Sequence, residues 1–190
     1  MEIIQAFAFD FDDVYKDMLM QFPASELKNF QSFQNLLKNE NYKFFRAKDK
    51  DTFVGYVLLY EDKTTSSVWI DYIAVLKTFH CRGYGTAILK KLMQKYEHFG
   101  RMFLEVEKPD NADIKTLRRI KFYSELGAKK LDINYFYPNN DGGFAMDLFF
   151  FPLQNNSYPS FNESLYLIKS VFNSLHSDVS NLDDIYRRIC

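Results

Sequence analysis

The sequence predicts an α+β domain in which a mixed, mostly antiparallel sheet is flanked by helices. The first observation is the order of the predicted elements, β-α-α-β-β-β-α-β-α-β-β-α. The second is the pairing of aromatic and β-branched runs across short polar turns, which favours antiparallel hairpins. The third is a strand–helix–strand unit in the middle of the chain, which favours one parallel pair. Helices layered on a mixed sheet follow from these three observations together.

Length, charge and cysteine content restrict the function classes. The chain has 190 residues, which favours one domain, and its formal net charge of −1 offers no basic field for nucleic acid or an anionic membrane. Cys81 and Cys190 show neither a disulfide framework nor a metal-binding spacing, so no metal is expected. The N-terminus lacks the pattern of a secretory signal, and no apolar run is long enough for a membrane span. We therefore expect a cytoplasmic protein.

The first third of the chain predicts one strand and two helices. Residues 2–9 have strand character, and an acidic start leads into a helix that Pro23 closes. A second helix is predicted over residues 24–39, with Ser25 as its cap and apolar residues at helical spacing.

The rest of the chain predicts a strand-rich core and further helices. The predicted strands are residues 42–49, 52–62, 66–77, 101–108, 129–138 and 143–153, and the predicted helices are residues 85–99, 113–127 and 160–178. We expect one domain over residues 1–153 and a C-terminal helical extension, residues 154–190, packed on the same domain. His98 and His176 are predicted to lie on helix surfaces.

The joint between the third strand and its helix carries two glycines one residue apart. Gly83 and Gly85 let the backbone turn sharply and expose its amides. The first turn of the helix adds unpaired N–H groups and a partial positive charge, which suits a phosphate. A plain tight turn is the alternative. The dinucleotide fingerprint fails because position 88 is Ile, and no Gly-Lys-Ser/Thr follows as a P-loop requires.

Two motifs in this region resemble the GNAT superfamily of acyl-CoA-dependent N-acyltransferases. The stretch His80-Cys81-Arg82-Gly83-Tyr84-Gly85 is similar to the superfamily's motif A, with His80 where Gln or Arg is usual. A shifted register would instead use Arg82, Gly85 and Ala87, but it lengthens the loop by two residues. Residues 118–131, "RRIKFYSELGAKKL", are similar to the motif B region. The resemblance implies the GNAT, or acyl-CoA N-acyltransferase, fold for most of the chain.

The resemblance also implies a site for acetyl-CoA as cosubstrate. The strand before the turn would bond the pantetheine arm through its backbone, and the amides of the turn would hold the pyrophosphate. The cofactor-binding residues implied in this way are Ile73, Val75, His80, Cys81, Arg82, Gly83, Tyr84, Gly85 and Thr86.

Acyl transfer to an amine needs a group that takes a proton from the amine and one that protonates the leaving thiolate. Tyr123 lies where the superfamily often has the tyrosine that protonates the thiolate, although a core tyrosine is the alternative. Asp71 is the candidate base, and Glu105 is its rival. No His–Asp pair supports Cys81 as a nucleophile, so direct attack in a ternary complex is expected.

The resulting hypothesis is an N-acetyltransferase that moves an acetyl group from acetyl-CoA to a primary amine of a small molecule or peptide. The acceptor wall would include aromatic and acidic residues, namely Phe22, Glu26, Tyr135, Tyr137, Asp10, Asp12 and Asp13. Nucleic acid and membrane are not expected as partners, and a homodimer is left open. The alternative is a non-catalytic module of the same fold that binds acyl-CoA or a protein partner.

Overall fold

The computed structural model describes residues 1–109, 113–154 and 158–189, so Cys190 lies outside the described residues. The strands are β1 (Glu2–Gln5), β2 (Tyr42–Asp49), β3 (Thr52–Asp62), β4 (Ser67–Val75), β5 (Arg101–Glu107), β6 (Lys129–Lys130), β7 (Phe136–Tyr137) and β8 (Phe144–Pro152). The α-helices are α1 (Phe11–Gln21), α2 (Phe30–Leu36), α3 (Tyr84–Lys95), α4 (Ile114–Glu125), α5 (Phe161–Leu175) and α6 (Leu182–Arg187). Short 3-10 turns cover Ala8–Asp10 and Lys77–Phe79.

The fold is the predicted α+β class, a mixed sheet flanked by helices. The chain divides into two compact units, one of residues 1–61 and 70–96 and the other of residues 62–69 and 97–190. Helices α5 and α6 belong to the second unit together with β5 to β8. The division predicted at residue 153 stays a prediction.

The first unit contains β1, β2, most of β3 and residues 70–75 of β4, in the strand order β1-β2-β3-β4. The antiparallel register pairs Glu2 with Lys48 and Tyr42 with Tyr60, and it shifts between Ala47 and Lys48. Aromatic rings fix α1 on this sheet, because the Phe11 ring lies 5.0 Å from that of Phe33 and 5.6 Å from that of Phe44. The contact with Phe44 is edge-to-face and the contact with Phe33 is tilted, and such ring contacts add to the burial of apolar area.

The second unit contains β8 at its centre, paired antiparallel with β5, β6 and β7. The registers pair Arg101 with Pro152 and Lys129 with Phe150. Helix α5 buries one apolar face, which consists of Leu167, Ile168, Val171, Phe172 and Leu175. That spacing of three and four residues is the periodicity from which the sequence predicts this helix.

Several predicted elements differ from the structure, and the strand predicted over residues 129–138 is two short strands, Lys129–Lys130 and Phe136–Tyr137. The first strand stops at Gln5, and a 3-10 turn replaces its second half. The second helix is only Phe30–Leu36, and its cap is Asn29, which accepts the amide of Ser32. The prediction of Ser25 as the cap was wrong. The C-terminal segment forms a short helix, α6, beyond the helix predicted over residues 160–178.

Among the described residues, no helix combines the length and the apolar character that crossing a membrane requires.

Candidate functional site

The turn after β4 is held by backbone bonds and by two residues with left-handed backbone geometry. The amide of Leu76 donates to the Val54 carbonyl at 2.9 Å, and one 3-10 turn follows. Cys81 has φ 61° and Gly83 has φ 80°. Gly83 adopts this conformation freely, whereas an exposed Cys does so at a cost of about 1 kcal/mol. The exposed turn therefore stores strain at one residue.

Helix α3 begins with free amides. Gly83 is the N-cap, and within the described part of the chain no side chain caps the helix. The first intrahelical bond joins the Ala87 amide to the Gly83 carbonyl at 3.1 Å. The amides of Tyr84, Gly85 and Thr86 therefore have no acceptor within the helix, and the positive end of the helix dipole adds to their attraction for an anion.

Polar side chains surround this helix start. The Arg82 side chain lies over the Phe79 ring, with its guanidinium carbon 5.6 Å from the ring centre. The Tyr84 hydroxyl donates to Asp49 at 2.7 Å, and this hydrogen bond raises the pKa of Tyr84. The cofactor contact of Arg82 stays a prediction, and Tyr84 is oriented by a carboxylate that sequence reasoning missed.

The last carbonyl of β4 is held by two side chains. Val75 accepts from Gln21 Nε2 at 3.1 Å and from His80 Nε2 at 2.8 Å. Gln21 also donates to Asp17 at 2.5 Å. The Tyr56 hydroxyl donates to the same Asp17 oxygen at 2.9 Å. Helix α1 is thereby connected to the end of β4, with both lone pairs of the Val75 carbonyl in use.

Sequence reasoning missed Asp17 and Gln21, although they carry a signal. They are four residues apart on α1, and the Phe11, Val14 and Met18 side chains of that helix are buried. Polar residues at i and i+4 lie on one face of a helix, so a polar pair next to the apolar stripe indicates a buried network.

Gly55 permits a close approach of three elements at this site. A Cβ atom there would lie 2.5 Å from the Ala74 carbonyl oxygen and 2.9 Å from Ile88 Cδ1. Real Cβ atoms do not approach so closely, so β3, β4 and α3 can meet only around a glycine. This constraint depends on tertiary contacts and has no local sequence signature.

Asp71 is buried and engaged on both oxygens. Its Oδ1 accepts from Lys28 Nζ at 2.8 Å, and its Oδ2 accepts from the Tyr42 hydroxyl at 2.6 Å. The side chains of Asp71 and Lys28 are 1% and 6% exposed. Such a buried ion pair orients a carboxylate and occupies its lone pairs. A catalytic role for Asp71 stays a prediction.

Tyr123 lies in the second unit, on α4. Asp113 caps this helix by accepting the amide of Lys115, and Gly127 follows its C-cap with φ 95°. Burial raises the pKa of Tyr123 to about 12, Glu107 contributes in the same direction, and Arg119 opposes it. The phenol therefore stays protonated at neutral pH, as a general acid must.

Other predicted residues of the second unit belong to its interior. Glu105 accepts the hydroxyl of Tyr135, whose side chain is fully buried. Tyr137 is buried as well, and its ring contacts that of His176 at 5.2 Å. The prediction of His176 as a surface residue was wrong, because the chain turns at the end of α5 and places the imidazole among aromatic rings.

No group of His, Cys, Asp and Glu residues suited to a metal ion occurs within residues 1–109, 113–154 and 158–189. Two features of the described residues suit an acyl-transfer reaction. One is the open start of α3 after β4 in the first unit, and the other is the buried, protonated Tyr123 in the second. An open helix start of this kind suits a phosphorylated cofactor.

The sequence matches a known family over most of its length. Residues 10–127 match the model of the acetyltransferase (GNAT) family. The chain therefore belongs to the GNAT family and is an acyltransferase, which confirms the resemblance seen in the two motifs. Enzymes of this family use acetyl-CoA. No curated protein matches the chain significantly in sequence.

Solved structures share the fold at low sequence identity. A Bacteroides thetaiotaomicron protein assigned to the GNAT family has a TM-score of 0.77 and 16% identity, over 91% of this chain and 97% of its own. The ribosomal-protein-S18-alanine N-acetyltransferase of Escherichia coli has a TM-score of 0.62 and 20% identity, over 83% and 99%. An aminoglycoside 6'-N-acetyltransferase in complex with coenzyme A has a TM-score of 0.60 and 14% identity, over 84% and 100%.

Proposed function

We propose that this enzyme transfers an acetyl group from acetyl-CoA to a primary amine of a small molecule or peptide, by direct attack in a ternary complex. The observation that carries the proposal is the open start of α3, directly after the turn that ends β4. Three amides without an acceptor in the helix follow Arg82 there, and a Cβ atom at Gly83 would meet nothing within 4 Å. A pyrophosphate needs such a cluster of donors.

Acetyl-CoA would bind along the end of β4 and across the turn. The backbone of Ile73 and Val75 would pair with the pantetheine arm, and residues 80–86 would hold the pyrophosphate. The helix begins at Tyr84, which supports the register in which Gly83 and Gly85 flank the first helical residue. When the cofactor binds, its pantetheine arm would replace the hydrogen bonds that Gln21 and His80 make to the Val75 carbonyl.

The chemistry would proceed without an acyl-enzyme. The neutral amine attacks the thioester carbonyl and forms a C–N bond, and the C–S bond then breaks. The amine proton leaves to a base or a water chain, and Tyr123 gives its proton to the departing CoA sulfur. Asp71 is the proposed base, with Glu105 as its rival. Both are engaged by hydrogen bonds in the structure, so either would act through water.

A single charge change tests the cofactor site. Gly85→Glu places a carboxylate at the start of α3, where it repels the pyrophosphate and fills the space it needs. We expect at least a tenfold loss of acetyl-CoA affinity by isothermal titration calorimetry, on the order of 1.4 kcal/mol. Gln94→Glu adds the same charge to the exposed last turn of α3 and should leave the affinity unchanged. Equal acetyl-CoA affinity in both variants would show that the cofactor does not bind at the start of α3.

A non-catalytic acyl-CoA-binding or protein-interaction module of the same fold is the second candidate. The observation that favours it is the engagement of both candidate bases, Asp71 and Glu105. Release of free CoA in the presence of a panel of primary amines separates the two. Binding of acetyl-CoA without thiol release from any amine, including the protein's own lysines, would support the module.

A further inference from the structure

Helix α1 carries a carboxylate, Asp17, that is held at one oxygen and open at the other. Its Oδ2 accepts from the Tyr56 hydroxyl at 2.9 Å and from Gln21 Nε2 at 2.5 Å. Its Oδ1 accepts no hydrogen bond from the described residues, and it does not belong to their buried polar atoms that lack a partner. Because the side chain is also partly exposed, a ligand atom can reach Oδ1.

The negative charge of Asp17 has no counter-charge within the described part of the chain. Both of its donors are neutral groups, a hydroxyl and a carboxamide. Two other carboxylates at the start of the same helix each have a cation, since Arg46 Nη1 lies 3.4 Å from Asp10 and Lys16 Nζ lies 3.0 Å from Asp13. A carboxylate that is held in place without such a partner attracts a cation from solution.

Tyr56 holds this carboxylate from the interior of the first unit. The Tyr56 side chain is fully buried on β3. Burial, together with the charge of Asp17, raises the pKa of the Tyr56 hydroxyl, so that group remains a donor at neutral pH. An aspartate on a helix surface ordinarily changes rotamer freely, whereas a bond to a buried hydroxyl removes that freedom in advance. Ligand binding to Asp17 therefore costs less conformational entropy.

Gln21 places the carboxylate beside the proposed path of the cofactor. The Nε2 nitrogen that donates to Asp17 also donates to the Val75 carbonyl at 3.1 Å, and Val75 is the last residue of β4. The carboxylate and this carbonyl are therefore neighbours across one amide nitrogen. When the pantetheine arm takes over the Val75 carbonyl, Gln21 can keep its bond to Asp17, because the amide group has two hydrogens.

We propose that Asp17 holds a second, charged amino group of the acceptor, so that the preferred substrate is a molecule with two amino groups. This inference rests on the proposed function. The amino group that attacks the thioester must be neutral, because protonation removes its lone pair. The ammonium that binds Oδ1 through a charge-assisted hydrogen bond therefore belongs to the other end of the substrate. Asp17 determines substrate specificity and does not act as the base.

Matched amines test this inference by steady-state kinetics on the full chain with acetyl-CoA. The probes are 1,4-diaminobutane and 1,6-diaminohexane, each compared with the monoamine of the same carbon chain. We expect kcat/KM to be at least about tenfold higher for a diamine than for its monoamine, because only the diamine keeps a charged hydrogen bond once the reacting amine is neutral. Equal kcat/KM within both pairs would overturn the inference, although acetyl transfer to amines would still stand.

Two variants test whether the ammonium binds at Asp17. Asp17→Asn keeps an oxygen that can accept from Tyr56 but removes the charge, and Glu40→Gln removes the same charge from an exposed residue elsewhere in the first unit. We expect Asp17→Asn to lower kcat/KM for the diamines by about tenfold, chiefly through KM, and to leave monoamine turnover and acetyl-CoA affinity unchanged. Glu40→Gln should change none of these quantities. A diamine preference that survives in Asp17→Asn would contradict the inference.

Calorimetry with CoA present keeps this test independent of turnover. We expect the affinity for 1,4-diaminobutane to fall by about tenfold in Asp17→Asn and to stay at the wild-type value in Glu40→Gln. Equal affinity in the two variants would show that Asp17 holds no ammonium. Absence of CoA release with every amine would instead contradict the proposed function, so the two proposals fail separately.

Discussion

Tyr123 is a buried tyrosine, and its burial keeps it protonated but also makes it a weaker acid. The side chain is 8% exposed, and burial holds its pKa near 12. Desolvation penalises the phenolate, so the proton remains on the oxygen at neutral pH. A thiol has an ordinary pKa of about 8.5, so a free thiolate is a weaker base than this phenolate, and the proposed proton transfer to sulfur is thermodynamically uphill. The same burial suits a core tyrosine, and kinetics distinguish the two roles.

Tyr123→Phe removes the hydroxyl and keeps the ring. We expect turnover to fall by about 100-fold, since general acid catalysis typically contributes that much, with acetyl-CoA affinity unchanged. Steady-state kinetics and calorimetry measure the two quantities. Tyr158→Phe is the matched control, because that tyrosine is half exposed and its hydroxyl bonds a backbone carbonyl. Normal turnover in Tyr123→Phe would show that the Tyr123 hydroxyl does not protonate the leaving group.

The raised pKa of Tyr123 also sets the pH dependence. An ordinary tyrosine loses its proton near pH 10, whereas Tyr123 keeps it to about 12. We expect kcat/KM to rise with pH as the amine substrate deprotonates, and to show no falling limb from Tyr123 below about pH 10. A bell-shaped profile with a falling limb near pH 8, abolished in Tyr123→Phe, would contradict the raised pKa of Tyr123.

Lys28 and Asp71 form a buried pair whose disruption should cost stability. Lys28→Met leaves the Asp71 carboxylate buried beside the Tyr42 hydroxyl without its counter-charge. We expect a loss of about 3 kcal/mol in the free energy of unfolding, measured by urea denaturation. The double variant with Asp71→Leu should recover most of that loss. A loss of less than about 0.5 kcal/mol in Lys28→Met would show that the pair is not desolvated.

The strand–turn–helix element depends on a glycine in left-handed geometry. Gly83 and Gly127 have φ 80° and 95°, and a Cβ at either would meet nothing within 4 Å. Both Gly→Ala changes should therefore cost about 1 kcal/mol in unfolding free energy, through the backbone alone. We expect only Gly83→Ala to weaken acetyl-CoA binding as well, by calorimetry. Equal affinities in the two variants would separate Gly83 from the cofactor.

At the level of elements, the positions of helices with a regular apolar period were predicted more accurately than the residues at which capping starts or ends a helix. The period predicted α3 and α5 because each buries apolar residues three and four positions apart, whereas the buried residues of α4 are Thr116 and Tyr123. It overextended α2, since the apolar residues before Asn29 continue the pattern while the backbone forms turns. Local spacing does not reveal which of two polar residues, Ser25 or Asn29, accepts the first amide.

On the scale of the whole molecule, the C-terminal helices complete the core of the second unit. Phe172 is 2% exposed, and its ring contacts those of Tyr135 and His176. Phe172→Ala should cost about 3–5 kcal/mol in unfolding free energy by thermal or urea denaturation, because it empties a packed position. The exposed neighbour Asn173→Ala is the control and should cost less than about 0.5 kcal/mol. Equal effects would mean that α5 is peripheral.

The sequence by itself determined the fold class, the GNAT family and the position of the glycine-rich turn, because hydrophobic period and glycine spacing act locally along the chain. Tertiary structure alone decided which polar groups lie inside. It pairs Asp71 with Lys28, 43 residues away, and it connects Gln21 to the Val75 carbonyl across 54 residues. Buried polar groups must find partners wherever the fold brings them, and sequence distance carries no information about that encounter.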